Sequence, residues 1–298
     1  MPNVPLPRKG PELGQYLPTS RQELELRGWD EVDIVFVSGD AYVDHPSFAA
    51  AILGRVLEAK GFRVAILPQP DWRSADAWRE LGRPRLFYAV SAGNMDSMVN
   101  HYTANRKKRN QDAYSPGGQI GMRPDRATGP YAQRCREAFK DVPIVAGGVE
   151  ASLRRIAHYD YWSDKVRPSS LVSSKADLVA FGMGERTIVS IAEGLRDGKS
   201  IQELRSLRGV AYLLGKNEEL PPHRWEDAAC DNRTVELPSF EEVQEDPLAF
   251  ARMTRLLHHE TNPLNGRRLT QAHGDRTVVL NPPDLPLTTE ELDFAHDL

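Results

Sequence analysis

With 298 residues, 40% of them hydrophobic and 27% charged, the chain is long enough to bury a sizeable core, and its formal net charge of −4 is too small to make the whole surface a cationic field for nucleic acid. Two cysteines, Cys135 and Cys230, show no C-x-x-C spacing, which excludes a disulfide scaffold and points to a reducing compartment, the cytoplasm. Prolines and charges from Met1 to Ser20 stand where an export signal needs an apolar stretch, and no run approaches the roughly 20 apolar residues that span a bilayer, so no membrane partner is expected.

The first expected strand is DIVFVS, Asp33 to Ser38, a β-branched and aromatic run suited to burial on both faces. A helix from His45 to Phe62 follows, with Phe48, Ile52, Val56 and Leu57 at helical spacing and Gly61 as its natural end. RVAIL (63–67) reads as a second strand, Ser74 to Leu81 as a helix capped by Ser74, and LFYAV (86–90) as a third strand. Helices over 95–105 and 130–140 precede a fourth strand, PIVA (143–146), and LVAF (178–181) makes a fifth. A helix over 188–195 and an edge strand over 210–214 complete the series. Strict alternation implies right-handed crossovers and a doubly wound, mostly parallel Rossmann-like α/β sheet.

Past residue 215 the sequence turns polar and proline-bearing, so we divide the chain into an N-terminal segment (1–30), a Rossmann-like domain (31–215) and a linker with a small α+β extension (216–298). The extension is expected to hold one helix over 240–259 and a strand over 277–280. Thr288 and Glu291 have the spacing of a capping box, so a last helix opens about ten residues before Leu298.

In open parallel sheets, ligands sit beyond the carboxyl ends of the strands. The loops there hold Gly39, Asp40, Asp44 and His45 after the first strand and Gly93 and Asn94 after the third. The fourth leads into Gly148 and Glu150, and the fifth into Gly184 and Glu185. Glycines let backbone approach a ligand while Asp, Asn and Glu orient its polar groups, although tight turns and caps favour the same residues whatever the protein binds. The stretch 150–164 adds Arg154, His158, Tyr159 and Asp160, a density suited to ligand contact or to domain docking. Neither G-x-G-x-x-G nor a P-loop is present, so neither NAD nor ATP is indicated. Arg106 to Arg109 (RKKR) lacks an accompanying nucleic-acid motif and reads as a solvated surface loop. Consecutive imidazoles at His258 and His259 diverge by about 100° on a helix, which argues against a metal pair.

Several long words carry a family resemblance: SGDAYVDHPSF (38–48), SAGNMDSMVN (91–100), YTANRKKR (102–109), RPDRATGPYAQRCREA (123–138), HHETNP (258–263) and HGDR (273–276). The longest block, GGVEASLRRIAHYDYWSDKVRPSSLVSSKADLVAFGMGER, spans 147–186. On these words the chain resembles the N-terminal region of YgiQ family radical SAM proteins, whose N-terminal domain is similar to cobalamin-binding Rossmann-like folds. The resemblance implies a [4Fe-4S] cluster and S-adenosylmethionine in the longer parent, held on a C-x3-C-x2-C motif beyond the last residue of this chain. Cys135 and Cys230 cannot replace those thiolates, so the chain alone lacks the catalytic centre. A fragment or one half of a split protein is therefore expected, with a separate radical SAM core domain as its partner. The function this implies is an accessory domain that positions a small-molecule substrate or a cofactor against that core. The alternatives are a stand-alone small-molecule or cobalamin-binding module and a docking or nucleic-acid interaction domain. The cobalamin signature D-x-H-x-x-G is not met, because Asp44 and His45 are adjacent.

Overall fold

The computed structural model describes residues 16–222, 225 and 233–298. Residues 1–15 of the expected N-terminal segment, and residues 223–224 and 226–232 of the expected linker, Cys230 among them, lie outside the described residues. A short helix, α1 (Arg21–Leu26), opens the described chain, its first turn held by the Ser20 side chain accepting the Glu23 N–H. There follow β1 (Ile34–Ser38), α2 (Ala49–Ala59), β2 (Val64–Pro68), α3 (Asp76–Arg79) and β3 (Phe87–Ser91). Then come α4 (Ser97–His101), α5 (Thr128–Ala138), β4 (Ile144–Gly147) and α6 (Gly148–Leu153), and a small hairpin of β5 (His158–Asp160) and β6 (Lys165–Arg167). After α7 (Ser170–Ser174), β7 (Leu178–Ala180), α8 (Glu185–Arg196) and β8 (Val210–Leu214) lie β9 (Thr234–Leu237), α9 (Phe240–Glu245), α10 (Pro247–His259), β10 (Arg268–His273), β11 (Arg276–Leu280) and α11 (Thr289–His296).

Among the described residues, nine strands make one sheet in the order β2-β1-β3-β4-β7-β8-β11-β10-β9. The first five are mutually parallel, which is the doubly wound Rossmann-like arrangement. One register row crosses them as Ile66, Phe36, Ala89, Val145 and Leu178. All five face the side covered by α2 and α8, where they pack with Leu57, Ile188 and Ile191. The next row, Leu67, Val37, Val90, Ala146 and Val179, faces the opposite layer, with Trp78 of α3, Tyr131 and Cys135 of α5 and Leu171 of α7. Alternation of side chains across each strand therefore builds two cores from one continuous apolar run.

The strand expected at the sheet edge, 210–214, lies inside it: β8 pairs antiparallel with both β7 and β11. Residues of the expected extension supply β9, β10 and β11 to the same sheet, with Val243 and Met253 of α9 and α10 packed over Leu237, Leu269 and Val278. The single helix expected over 240–259 is two. Pro247 disfavours a helical Asp246, whose side chain instead caps α10 by accepting the Leu248 and Ala249 N–H groups. Ser74 does not cap α3; it bonds Asp76, and Ala75 precedes the helix. The helix over 95–105 is limited to α4, because Asp96 caps it and Tyr102 is already extended. The expected last helix forms, with Thr288 and Glu291 making a capping box.

Candidate functional site

Strand order reverses between β1 and β3, since β2 lies on one side of β1 and β3 on the other. Such a reversal opens a crevice beyond the carboxyl ends, because the following helices leave on opposite faces. A cavity of about 400 Å³ lies there, with Phe36, Ala89, Val145 and Ala180 as floor, Ala49, Ile52 and Leu53 of α2 as one wall and Ile188 of α8 as the other. Small residues create it: alanines stand at 89 and 180 where the same face carries Ile66 and Leu178 elsewhere, and Gly147, Gly148, Gly182 and Gly184 form the rim. Val149, Leu153 and Met183 stand exposed around it.

Gly148 is required at its place. Its φ is +77°, and a Cβ there would come within 2.6 Å of Ser91 Oγ. Ser91 Oγ accepts the Gly93 N–H at 3.1 Å and faces the cavity. Glu185, the first residue of α8, is the one charged side chain in the lining. Its Oε2 is shut off from water and has no hydrogen-bond partner among the described residues.

The remaining polar residues beyond the strands are paired within the chain. Asp40 meets Arg123 at 2.8 Å and accepts the Asn94 N–H at 2.6 Å. Arg123, fully buried, also reaches Asp112 at 3.4 Å and the Ala92 carbonyl at 2.6 Å. Burial raises the Asp40 carboxyl above its ordinary value against the lowering pull of Arg123. Asp40 and Asn94 border a second cavity of only about 10 Å³, room for no more than a water.

Glu150 holds two helix starts, accepting the Ser97 N–H of α4 and the Thr128 N–H of α5, each at 3.0 Å. Arg154 bridges it to Asp96, at 3.3 and 2.5 Å. Burial alone would raise the Glu150 carboxyl, but Arg154 and these N–H groups bring it below its ordinary value. Asp160 gathers Arg126 at 2.5 Å, Arg167 at 2.7 Å and Ser163 at 2.6 Å, and these partners overcome burial to hold it at about 2. His158 is lowered to about 4 by burial, and its Nδ1 lies 3.2 Å from the Ile156 carbonyl. Tyr159 is exposed and donates to Asp164. Asp44 pairs with Arg55 at 2.5 Å. His45 and Asp44 line a different depression, of about 80 Å³, beside Ala295 and Leu298.

The cavity between α2 and α8 therefore brings together Gly148, Gly184 and Glu185 of the residues singled out from sequence, and leaves Asp40, Asp44, His45, Asn94, Glu150, Arg154, His158, Tyr159 and Asp160 elsewhere. Sequence reading missed its walls, Ile52, Leu53 and Ile188, because core-facing and cavity-facing residues share one helical period. Arg123 was missed as well, since it sits in an irregular loop; only the surplus of acids at the strand ends signalled a buried cation. Arg106 to Arg109 are exposed, with Arg106 stacked over the Tyr161 ring at 4.7 Å.

The residues present do not fit a [4Fe-4S] cluster. Cys135 is buried in α5, its thiol pushed far up by burial, and no group of three metal-binding side chains occurs among the described residues. A cobalamin held through a histidine does not fit either, as no histidine lines the cavity and His45 borders another. No helix among the described residues is long and apolar enough to cross a membrane.

Residues 16–298 match the family model described as Radical SAM N-terminal. A UPF0313 protein of Rhodopseudomonas palustris is 55% identical over 292 residues, covering 95% of this chain and 43% of the relative. The UPF0313 protein YgiQ of Escherichia coli is 50% identical over 327 residues, covering 95% of this chain and 44% of its own length. The chain thus spans less than half the length of the curated relatives it matches. A solved structure of the radical S-adenosylmethionine methyltransferase TsrM from Kitasatospora setae aligns over 60% of this chain and 28% of its own at 17% identity and a TM-score of 0.38, too loose a likeness to carry an argument.

Proposed function

The chain belongs to the Radical SAM N-terminal family, and from that premise we propose that it is an accessory domain that holds a small molecule, substrate or cofactor, against a radical SAM core. The cluster and S-adenosylmethionine would sit on that core, the partner of this domain. The observation that carries the reading is the cavity at the β1/β3 reversal, about 400 Å³ and lined mostly by apolar side chains. Its size lies in the range of small-molecule sites, roughly 300 to 1,000 Å³. An apolar hollow left open in an otherwise close-packed sheet gives up dispersion contacts, and a bound molecule restores them.

The test is occupancy. The neutral apolar dye Nile red should bind the chain saturably at one site, and Leu53→Trp or Ala49→Trp, which fill the cavity from α2, should abolish that binding while thermal unfolding remains cooperative. Dye binding unchanged in both variants would overturn the reading.

A further inference from the structure

We infer that the surface where the 101–109 loop meets the β5–β6 hairpin binds single-stranded nucleic acid, with Tyr159 and Tyr161 as platforms for bases and Arg106 to Arg109 as contacts for phosphates. This surface is separate from the cavity between α2 and α8, and the inference does not rest on the reading of that cavity.

Charge comes first. By its spacing Arg106 to Arg109 reads as a solvated run, yet its backbone is an ordered arm. The Thr103 N–H donates to the Lys107 carbonyl at 2.8 Å, the Arg109 N–H donates to the His101 carbonyl at 2.8 Å, and Tyr102 pairs with Lys108 in an antiparallel bridge. Arg106 closes the turn at a φ of +60°, a left-handed conformation that residues with a Cβ seldom adopt. The four side chains are exposed and form no ion pair among the described residues, whereas Arg55, Arg83 and Arg136 each meet a carboxylate. Like charges held side by side repel one another, and phosphates laid over them relieve that repulsion.

Aromatic rings complete the surface. Tyr159 and Tyr161 are 48% and 44% exposed, while Asp160 between them turns inward to Arg126 and Arg167. The two rings therefore share the outer side of the hairpin. The Tyr161 hydroxyl donates to the Ala104 carbonyl at 2.7 Å, which ties the hairpin to the basic arm, and the Arg106 guanidinium lies over the Tyr161 ring at 4.7 Å. Trp162 meets the same ring edge-on at 5.6 Å and fixes its tilt. Asp125 and Asp164 border the surface, each engaged by a tyrosine hydroxyl, and leave the cations of the arm in excess. Exposed rings beside a cationic track are what a single strand uses, since every base has a face to stack and every linkage a phosphate. An acidic protein would answer the cations and leave the rings unused.

Fluorescence anisotropy with labelled strands of about 12 nucleotides tests the assignment. Oligothymidylate and oligouridylate should bind saturably, and the tighter of the two identifies the sugar that the surface prefers. Affinity should fall about 50-fold between about 50 and 200 mM salt, as four phosphate contacts require. A strand of the same length carrying abasic deoxyribose should bind at least about tenfold more weakly than oligothymidylate. Tyr159→Ala should lower the affinity for oligothymidylate at least about fivefold and leave the abasic strand unaffected, and Tyr159→Phe, which keeps the ring, should restore it. Lys107→Ala combined with Lys108→Ala should weaken both strands and about halve the slope of log affinity against log salt. No binding of either nucleobase strand, or affinity unchanged in the double lysine variant, would overturn the inference. Equal affinity for the abasic strand would overturn it too, and would make the surface a site for polyanions at large, acidic proteins among them.

Discussion

The two sides of the same row of strand ends differ in kind. Toward α5 and α4, charged groups are dense, buried and ion-paired: Arg123 between Asp40 and Asp112, and Glu150 with Arg154 and two helix N–H groups. Toward α2 and α8, polar groups are sparse around an apolar cavity, and one oxygen of Glu185 has no hydrogen-bond partner among the described residues. The first pattern fastens long loops to the sheet; the second leaves an apolar hollow open. Density of acids and arginines is thus a poor guide to a ligand site, and an apolar hollow left open beyond the strand ends is a better one.

Breaking the ion-paired side should be expensive. Arg123→Met leaves two buried carboxylates without their cation and should cost about 3–5 kcal/mol in urea denaturation, enough to unfold a marginal domain. Glu150→Ala uncaps α4 and α5 and strands Arg154, and should cost about 2–4 kcal/mol by the same measurement.

Acid sharpens the contrast further. His158, neutral and held at about 4 in the folded chain against an ordinary value near 6.5, favours the folded state above that ordinary value; this contribution is lost as pH falls from about 6.5 to about 4. Asp160, held at about 2, adds a loss as pH drops from about 4 toward 2. Chemical denaturation at a series of pH values should therefore show stability declining in both windows, and His158→Gln should flatten the first. Smallest of all, and opposite in sign, Glu185→Leu should be neutral or stabilising by up to about 1 kcal/mol, since it removes a buried acceptor oxygen that no described residue satisfies.

The parallel half of the sheet was legible because β1, β3, β4 and β7 are buried on both faces and must read as unbroken apolar runs. The other half was legible only in part: β8 and β11 were read as apolar runs, whereas β9 and β10 were not. β10 reads RLTQAH, and its buried positions include Arg268, Gln271 and His273. Gln271 is tolerated inside only because its amide serves two distant groups, accepting from the Ala157 N–H and donating to the Pro238 carbonyl. Such compensation is tertiary and leaves no local pattern. The split of α9 from α10 could have been read from Asp246-Pro247, a capping pair in the middle of an otherwise helical period. As for the site, glycines at the strand ends pointed to the right rim, but nothing local distinguished Glu185, one oxygen of which has no partner among the described residues, from Glu150, fully engaged.

Methyl-resolved NMR during Nile red titration puts the central claim to its most direct test. Shifts confined to Ile52, Leu53, Ile188 and Met183 would place the ligand between α2 and α8, as this account requires. Shifts at Leu171, Ile156 or the 158–167 hairpin, with the α2 and α8 methyls unmoved, would place it on the ion-paired side and contradict the account.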